Sequence, residues 1–396
     1  MQSHDDALLG SPAVGLGKTA IAPYVARLLT LLGPPILCFV ASRALLHAAA
    51  ISTENDPLDA NSWSRWDSDQ YLSIAQRGYE FSSCAGIEGY DPNDWCGNDA
   101  WLPGYSFLIK LVAPLGHLNY PEAGVLVSAA FTFASLLSLW LLFLRAKLTI
   151  ANGLVLLLAA FFPGHVYGHA VFPIAQFTFF VALSLWLFNR RRYRFAGVCA
   201  CVAAFSYSSG LFLCGAFCLH ALLLERDRPI RMIKDLTWPC GGVLLGFSSA
   251  LALQWWQTGV WDAFFRVQAK YAYSPRTPFE LWTSNIAHFF EHWPRGASPN
   301  DQTLLVACLC ILMLGYAFWR RVPTRLDVLL AAFAVIYWVI PIVLGGQLSL
   351  YRAEATLLPA VPLARRIPAP ILTVLVCLAV RLSWLMGRRF FKGTIM

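Results

Sequence analysis

The sequence contains 396 residues, of which 58% are hydrophobic and only 13% are charged. Its mean hydropathy of +0.56 excludes an ordinary soluble domain and indicates a polytopic membrane protein. The formal net charge is +8, but the basic residues cluster between apolar runs. This charge therefore reflects membrane topology, and it gives no reason to expect nucleic-acid binding.

Apolar runs divide the chain into predicted membrane spans. Residues 1–20 lack the basic start, apolar core and cleavage site of a signal peptide, so we expect a short cytoplasmic tail there. The first span covers about residues 21–51 and is interrupted at Gly33, Pro34 and Pro35. Later spans are predicted near residues 124–144, 148–168, 171–188, 195–207, 210–224, 236–254, 304–319, 328–344 and 371–386. We predict an all-α polytopic membrane protein, a single bundle of about 10–11 transmembrane helices.

Clusters of arginine and lysine predict how the spans are oriented, because such clusters in short loops stay in the cytoplasm. One side carries Arg145 and Lys147, Arg190 to Arg192 and Arg194, Arg226 to Lys234, and Arg320, Arg321 and Arg325. If that side is cytoplasmic, residues 52–121 and 259–302 form two large extracytoplasmic loops. At the C-terminal end, the basic clusters at 365–366 and 388–392 cannot both be cytoplasmic if residues 371–386 cross once.

The cysteines divide into two groups. Nine of the 11 lie in apolar spans, where a thiol behaves as a small hydrophobe. Only Cys84 and Cys96 lie in a polar loop, the first extracytoplasmic one. A disulfide between them would suit an oxidising compartment, and two unpaired thiols are the alternative. No spacing of cysteine and histidine resembles a zinc site.

The run at residues 62–81 places two carboxylates shortly after the first span. It predicts a helix over about 64–77 that ends at Gly78, with Asp67 and Tyr71 on one face and Trp66 beside them. In a structural interpretation, Asp67 completes a capping box with Ser64. In a functional one, Asp67 is a base at the bilayer surface for a substrate that arrives partly from lipid. Asp69 points away from Asp67 on such a helix.

Two apolar runs are too short to span the membrane alone. Residues 100–118 predict an interfacial or re-entrant helix under the first loop. Near residues 206–210, two short spans predict a tight hairpin or a broken helix.

Three further sets of polar residues are candidate sites. His165 and His169 indicate either packing at a helix junction or hydrogen bonding to substrate, and no third metal ligand is near them in sequence. Arg266 and Lys270, among aromatic residues of the loop at 259–302, indicate either a membrane-surface belt or a phosphate and sugar site. Arg352 lies at the predicted lip of an apolar helix, where a charge suggests a function; a local surface pair with Glu354 is the alternative.

Three of these segments together resemble one known family. They are RWDSDQYLSIAQRGY at 65–79, AWLPGYSFLIKLV at 100–112 and YRAEATLLPAVPLARR at 351–366. In content and order they are similar to the PIG-V type of integral-membrane mannosyltransferase, which has the GT-C fold. Where that family has a glutamate before an apolar helix, this chain has FPIAQ at 172–176, without a carboxylate.

The resemblance implies a sugar donor on a polyprenyl phosphate and transfer to a lipid or glycan hydroxyl on the extracytoplasmic face. That membrane would be the plasma membrane of a bacterium or the endoplasmic reticulum of a eukaryote. An inverting transfer needs a base, for which Asp67 is suited, with Asp69 as the second candidate catalytic carboxylate. Arg352 is suited to bind the departing phosphate, with Arg266 and Lys270 as further candidates, so we expect no metal or other cofactor. The candidate substrate-binding residues are Trp66, Tyr71, His165 and His169.

Two other classes of membrane protein are alternatives. A transporter would show internal repeats and charged residues at mid-span, and we find neither clearly. A polymerase or ligase for lipid-linked glycans would depend on arginine and histidine of the outer loops rather than on Asp67. The sequence does not distinguish mannose from other sugars or one acceptor from another.

Overall fold

A computed structural model describes residues 21–271, 277, 279–280, 283, 286–287, 290, 299–319, 322–344 and 350–395. Within these residues the protein is almost entirely helical, and its sheet has two short strands. The prediction of an all-α polytopic membrane protein is confirmed. The predicted tail at 1–20, part of the loop at 259–302 and residues 345–349 lie outside the described residues.

The α-helices of the described residues range from four to 31 residues in length. In chain order they are α1 (Ile21–Ile51), α2 (Ser68–Arg77), α3 (Gly104–Leu115), α4 (Tyr120–Ser138), α5 (Ile150–Ala160), α6 (Val166–His169), α7 (Ile174–Asn189), α8 (Tyr193–Ser206), α9 (Phe212–Glu225), α10 (Pro229–Thr258), α11 (Ala263–Ala269), α12 (Pro299–Trp319), α13 (Arg325–Val343), α14 (Leu350–Ala355) and α15 (Ala369–Phe391). Short 3-10 helices cover Ala60–Trp63, Ser208–Leu211 and Leu358–Arg366, and a π-helical turn, Leu139–Phe143, extends α4.

Seven helices of the described part are long and apolar enough to cross a membrane. They are α1, α4, α9 with its preceding 3-10 turn, α10, α12, α13 and α15. Helices α3, α5, α7 and α8 are apolar but shorter, with 10–17 residues each. The ten or eleven predicted crossings therefore include several segments that are too short to cross unaided.

Helix ends follow local sequence signals. Asn119 and Glu122 form a capping box that starts α4. Gly78 ends α2 with a φ of 86°, and Gly259 ends α10 with a φ of 73°. Both angles lie in the region that glycine adopts most readily, so the predicted stop at Gly78 has a direct physical reason.

The two ends of the bundle differ in charge. We call the end that carries residues 52–119 the loop side, and the opposite end, which carries Arg190 and Arg325, the basic side. Asn55 and Arg65 each donate a hydrogen bond to the carbonyl of Phe391, so α15 ends at the loop side. Arg365 and Arg366, which precede α15, pair with Asp327 on the basic side.

This arrangement answers the question of the C-terminal charges. The cluster at 365–366 shares the basic side with the other arginine clusters. Arg388, Arg389 and Lys392 lie near the loop-side end of α15, so theirs is the cluster that departs from the charge rule.

The turn between α5 and α7 lies beside the middle of α4 rather than at its end. The Ser128 hydroxyl donates to the carbonyl of Phe172, and the Thr132 hydroxyl donates to that of Gly168. These positions are about 12–18 Å along α4 from its loop-side start, at 1.5 Å per residue. Residues 161–173 therefore lie well below the loop-side end of the bundle, and we call the region between this turn and the first loop the recess.

The first loop is held in place by bonds within the loop and by hydrogen bonds to the bundle. Strands β1 (Phe81–Ser83) and β2 (Trp95–Gly97) pair antiparallel, and a disulfide joins Cys84 to Cys96 with their Cα atoms 5.1 Å apart. Gln254 of α10 donates to the carbonyl of Asp99, and Gln268 of α11 donates to that of Ala100. The loop is thus held over the bundle at several points.

The two short apolar segments complete the surroundings of the recess. Helix α3 lies under α2, where the Ser106 hydroxyl donates to the carbonyl of Tyr71. Tyr105 donates to the carbonyl of Gly124 in α4. The predicted tight connection near 206–210 is confirmed, since α8 turns into α9 through one 3-10 turn whose Ser209 carbonyl accepts from Tyr337.

Candidate active site

The chain bends sharply just before Asp67. The predicted helix over 64–77 begins only at Ser68, because Trp66 has a φ of 49°. A bulky residue rarely adopts this left-handed conformation, so the surroundings must hold it there. The Trp66 ring packs edge-on against Phe390, and the Trp63 ring packs edge-on against Phe391, both at the end of α15. The bend places Asp67 at the N-cap position, directly before the first residue of α2.

Asp67 does not cap this helix. Its side chain makes no capping hydrogen bond, and the amide of Arg65 donates instead to the hydroxyl of Ser68, at 3.0 Å. The capping-box interpretation of Ser64 and Asp67 is therefore wrong. The Asp67 carboxylate accepts a hydrogen bond from the guanidinium of Arg352.

The ion pair between Asp67 and Arg352 joins residues 285 positions apart in the chain. The Arg352 side chain is 13% exposed and the Asp67 side chain 28% exposed, so the pair lies in a recess that solvent still reaches. The alternative pairing of Arg352 with Glu354 is wrong. Glu354 is 3% exposed and accepts a hydrogen bond from Gln302 at 2.8 Å.

Backbone contacts hold α14, and therefore Arg352, in position. Gln302 of α12 also donates to the carbonyl of Tyr351, at 2.8 Å. On the other side α14 touches Gly164, whose φ is 80°; a Cβ there would lie 2.8 Å from the Tyr351 carbonyl oxygen. A side chain at Gly164 would push α14 away, so this glycine permits the close approach.

Aromatic side chains surround the pair. The guanidinium carbon of Arg352 lies 5.9 Å from the ring centroid of Phe172, and the rings of Tyr167 and Tyr351 lie 5.8 Å apart. Tyr71 is buried, and burial raises its pKa well above the ordinary value, so its hydroxyl stays neutral. Burial alone would lower the pKa of Arg352, but Asp67 and the nearby tyrosines raise it, so the guanidinium keeps its charge.

His165 and His169 lie in the turn below the pair. His169 is fully buried, and its Nε2 lies 3.3 Å from the hydroxyl of Ser42. The two imidazole rings are 5.8 Å apart and border a cavity of about 30 Å³. Among the described residues, no group of three histidine, cysteine or acidic side chains could hold a metal. Their setting is the helix junction that the packing interpretation predicts.

Three other candidate residues lie away from the ion pair of Asp67 and Arg352: Arg266, Lys270 and Asp69. Arg266 pairs with Asp262 at 2.9 Å and lies over the ring of Trp95, in the first loop. Lys270 lies over the rings of Tyr90 and Tyr271. Asp69 is exposed on α2, on the side away from Tyr71. None of these three is in direct contact with the pair within the part of the chain that the structure describes.

The aromatic neighbours of Arg352 were not among the predicted site residues. Phe172, Tyr167 and Tyr351 come from segments with no regular spacing between them, so periodicity could not group them. The sequence signal that could have identified them is that each residue lies beside a break in an apolar run.

No protein-family model and no curated protein matches this chain. A functional assignment must therefore depend on the chemistry of the recess.

Proposed function

We propose that this protein is an integral-membrane glycosyltransferase of the hexosyltransferase type. It would move a sugar, mannose if the resemblance to the PIG-V type is functional, from a polyprenyl-phosphate donor to a hydroxyl of a lipid or glycan acceptor. The observation that carries the proposal is the ion pair of Asp67 and Arg352 in a recess lined by aromatic rings. A carboxylate and a guanidinium are the two groups that such a transfer requires.

The proposed reaction inverts the configuration of the sugar carbon. Asp67 takes the proton of the acceptor hydroxyl while the acceptor oxygen attacks the anomeric carbon. The bond from that carbon to the donor phosphate breaks, and its electron pair stays on the leaving phosphate. Arg352 binds the phosphate oxygens as their negative charge increases, which lowers the barrier.

The recess suits a substrate that reaches it from lipid. It lies between the turn at residues 161–173 and the first loop, among helices that are apolar enough to contact acyl or polyprenyl chains. The basic clusters predict that the loop side is extracytoplasmic, and the disulfide of Cys84 and Cys96 is typical of an oxidising compartment. A polyprenyl-phosphate donor fits both conditions.

The test uses the full chain in lipid vesicles with synthetic polyprenyl-phosphate mannose and a panel of glycolipid acceptors. We expect a mannosylated product and release of polyprenyl phosphate. Arg352→Ala should lower turnover about 10²–10³-fold, because the leaving phosphate loses its charge partner. Arg352→Lys should retain part of the activity, since an ammonium supplies charge without the bidentate geometry.

Arg77→Ala is the matched control, because Arg77 forms an exposed pair with Glu80 on the same side of the bundle. Such an exposed pair contributes little to stability, so this variant should keep wild-type turnover. Wild-type turnover in Arg352→Ala would overturn the phosphate role. Movement of the donor across the vesicle without a new glycosidic bond would favour the transporter class instead.

A further inference from the structure

We propose that the donor phosphate displaces Asp67 from Arg352, so that binding of the donor creates both the phosphate clamp and the free base. This inference rests on the proposed function and adds an order of events to it. Its starting point is that the two groups assigned to the reaction are bonded to each other.

The contact within the pair competes with the proposed reaction. The Asp67 oxygen that accepts the hydrogen bond from Arg352 is one of the two that could receive the acceptor proton. The guanidinium donor that faces Asp67 is likewise occupied. Release of this contact would therefore make both groups fully available to substrate.

The geometry favours release of Asp67 rather than movement of Arg352. Arg352 is the less exposed of the two side chains, and Gln302 and Gly164 fix the helix that carries it. Asp67 is the more exposed, and no capping bond ties its side chain to α2. Among the described residues, Arg352 is the one cation in ion-pair contact with Asp67. A small change of the Asp67 rotamer would open the pair.

A phosphate is a suitable competitor for the guanidinium. The sugar phosphodiester carries one negative charge, and it presents two oxygens that can bind a guanidinium side by side. As the sugar leaves, the phosphate gains a second negative charge and Asp67 gains a proton. The acceptor proton therefore moves to the carboxylate that Arg352 has released, and the displaced electron pair goes to the phosphate that Arg352 has bound.

This exchange predicts that wild-type affinity for phosphate is reduced by competition from Asp67. If the pair is open in about one tenth of the molecules, removal of the competitor should tighten binding about tenfold. Asp67→Asn should thus bind polyprenyl phosphate more tightly than the wild type while it transfers no sugar. Loss of activity with gain of affinity is an outcome that a simple structural role for Asp67 does not produce.

The experiment measures binding of synthetic polyprenyl phosphate to the full chain in lipid nanodiscs. Asp67→Asn and Asp67→Ala are compared with the wild type after each is shown to keep its melting temperature. Asp91→Asn is the matched control, because it removes one exposed negative charge from the same loop and should leave the affinity unchanged. Arg352→Ala should weaken binding at least tenfold, in line with loss of a charge-assisted contact.

The outcomes separate the two proposals. Tighter binding in both Asp67 variants, with weaker binding in Arg352→Ala, supports the exchange. Unchanged or weaker binding in the Asp67 variants, with weaker binding in Arg352→Ala, overturns the exchange and leaves the proposed function intact. Wild-type binding in Arg352→Ala overturns the phosphate site itself.

Discussion

Each end of the bundle holds a carboxylate that is bonded to arginine. The two carboxylates differ in how many hydrogen bonds and ion pairs their oxygens accept. On the basic side, Asp327 is fully buried and pairs with both Arg365 and Arg366. It also accepts hydrogen bonds from the amide and the hydroxyl of Thr324, in the capping box that starts α13. On the loop side, among the described residues, Asp67 pairs with one arginine and makes no capping bond.

The difference shows that the same short motif can serve two purposes. Thr324 and Asp327 stand three positions apart, as Ser64 and Asp67 do, and both pairs fit the pattern of a capping box. Only the first pair forms it, because the left-handed turn at Trp66 prevents the second. A carboxylate whose oxygens are saturated holds a structure together, whereas one with bonding capacity left can exchange partners.

The largest expected effect comes from the loop-side carboxylate. Asp67→Asn should lower turnover with polyprenyl-phosphate mannose about 10³-fold, because an amide cannot take the acceptor proton. The amide has the size of the carboxylate and can accept only a weaker, uncharged hydrogen bond, so melting temperature and membrane insertion should stay near those of the wild type. Initial rates in vesicles measure this effect. Near-normal turnover would remove Asp67 from the reaction.

The basic-side carboxylate should give the opposite pattern. Asp327→Ala leaves Arg365 and Arg366 without their partner, and loss of one member of a buried ion pair costs about 3–5 kcal/mol. We expect a lower yield of folded protein and a lower melting temperature, with normal turnover per folded molecule. Active-site titration and thermal melts in detergent distinguish the two quantities. A stable but inactive variant would contradict the structural role.

Reduction of the disulfide should disturb the loop side alone. A bond that closes a loop of about this size contributes up to about 3 kcal/mol, and it joins the two strands of the first loop, which also carries Asp67. Reduction should therefore lower turnover several-fold before it unfolds the bundle. In intact cells, a bulky thiol reagent should modify Cys84 and Cys96 only after reduction. Equal labelling without reductant would argue against both the bond and the compartment.

A third carboxylate, Asp99, should change the pH dependence of stability rather than turnover. It is fully buried in the first loop, neither of its oxygens has a hydrogen-bond partner among the described residues, and burial raises its pKa from 3.8 to about 7. The folded state therefore holds a proton that the unfolded state has lost, so stability should fall as the pH rises from about 4 to about 7. Melting temperatures at pH 5 and pH 8 measure this slope, and Asp99→Asn should flatten it. An unchanged slope would show that another group is responsible.

The comparison also shows what the sequence could predict. The fold class and the stop at Gly78 depend on composition and on one residue, so they are visible locally. Asp67 and Arg352 could each be selected, because a charge beside an apolar span is costly. Their contact could not be predicted, since nothing in the spacing of residues 285 apart relates one to the other.

Composition was a poorer guide in the second loop. Arg266 and Lys270 were selected because they stand among aromatic residues. In the structure they do lie over aromatic rings. Those rings belong to the first loop or to the same segment, however, and not to the site of the ion pair. The φ of Trp66 had no sequence signal either. It depends on packing against α15, which follows it by more than three hundred positions in the chain.

That packing has a consequence for the order in which the protein is made. Helix α15 follows every other described helix, so it is the last of them to leave the ribosome. Before α15 is synthesised, the rings of Phe390 and Phe391 cannot support the turn at Trp66. The Phe391 carbonyl is likewise not yet present to accept the hydrogen bonds from Asn55 and Arg65. Trp66 and Asp67 are therefore synthesised well before the rings of α15 that support the turn. A nascent chain that is arrested before α15 would therefore contain Asp67 and Arg352 but lack the aromatic contacts that support the turn before Asp67.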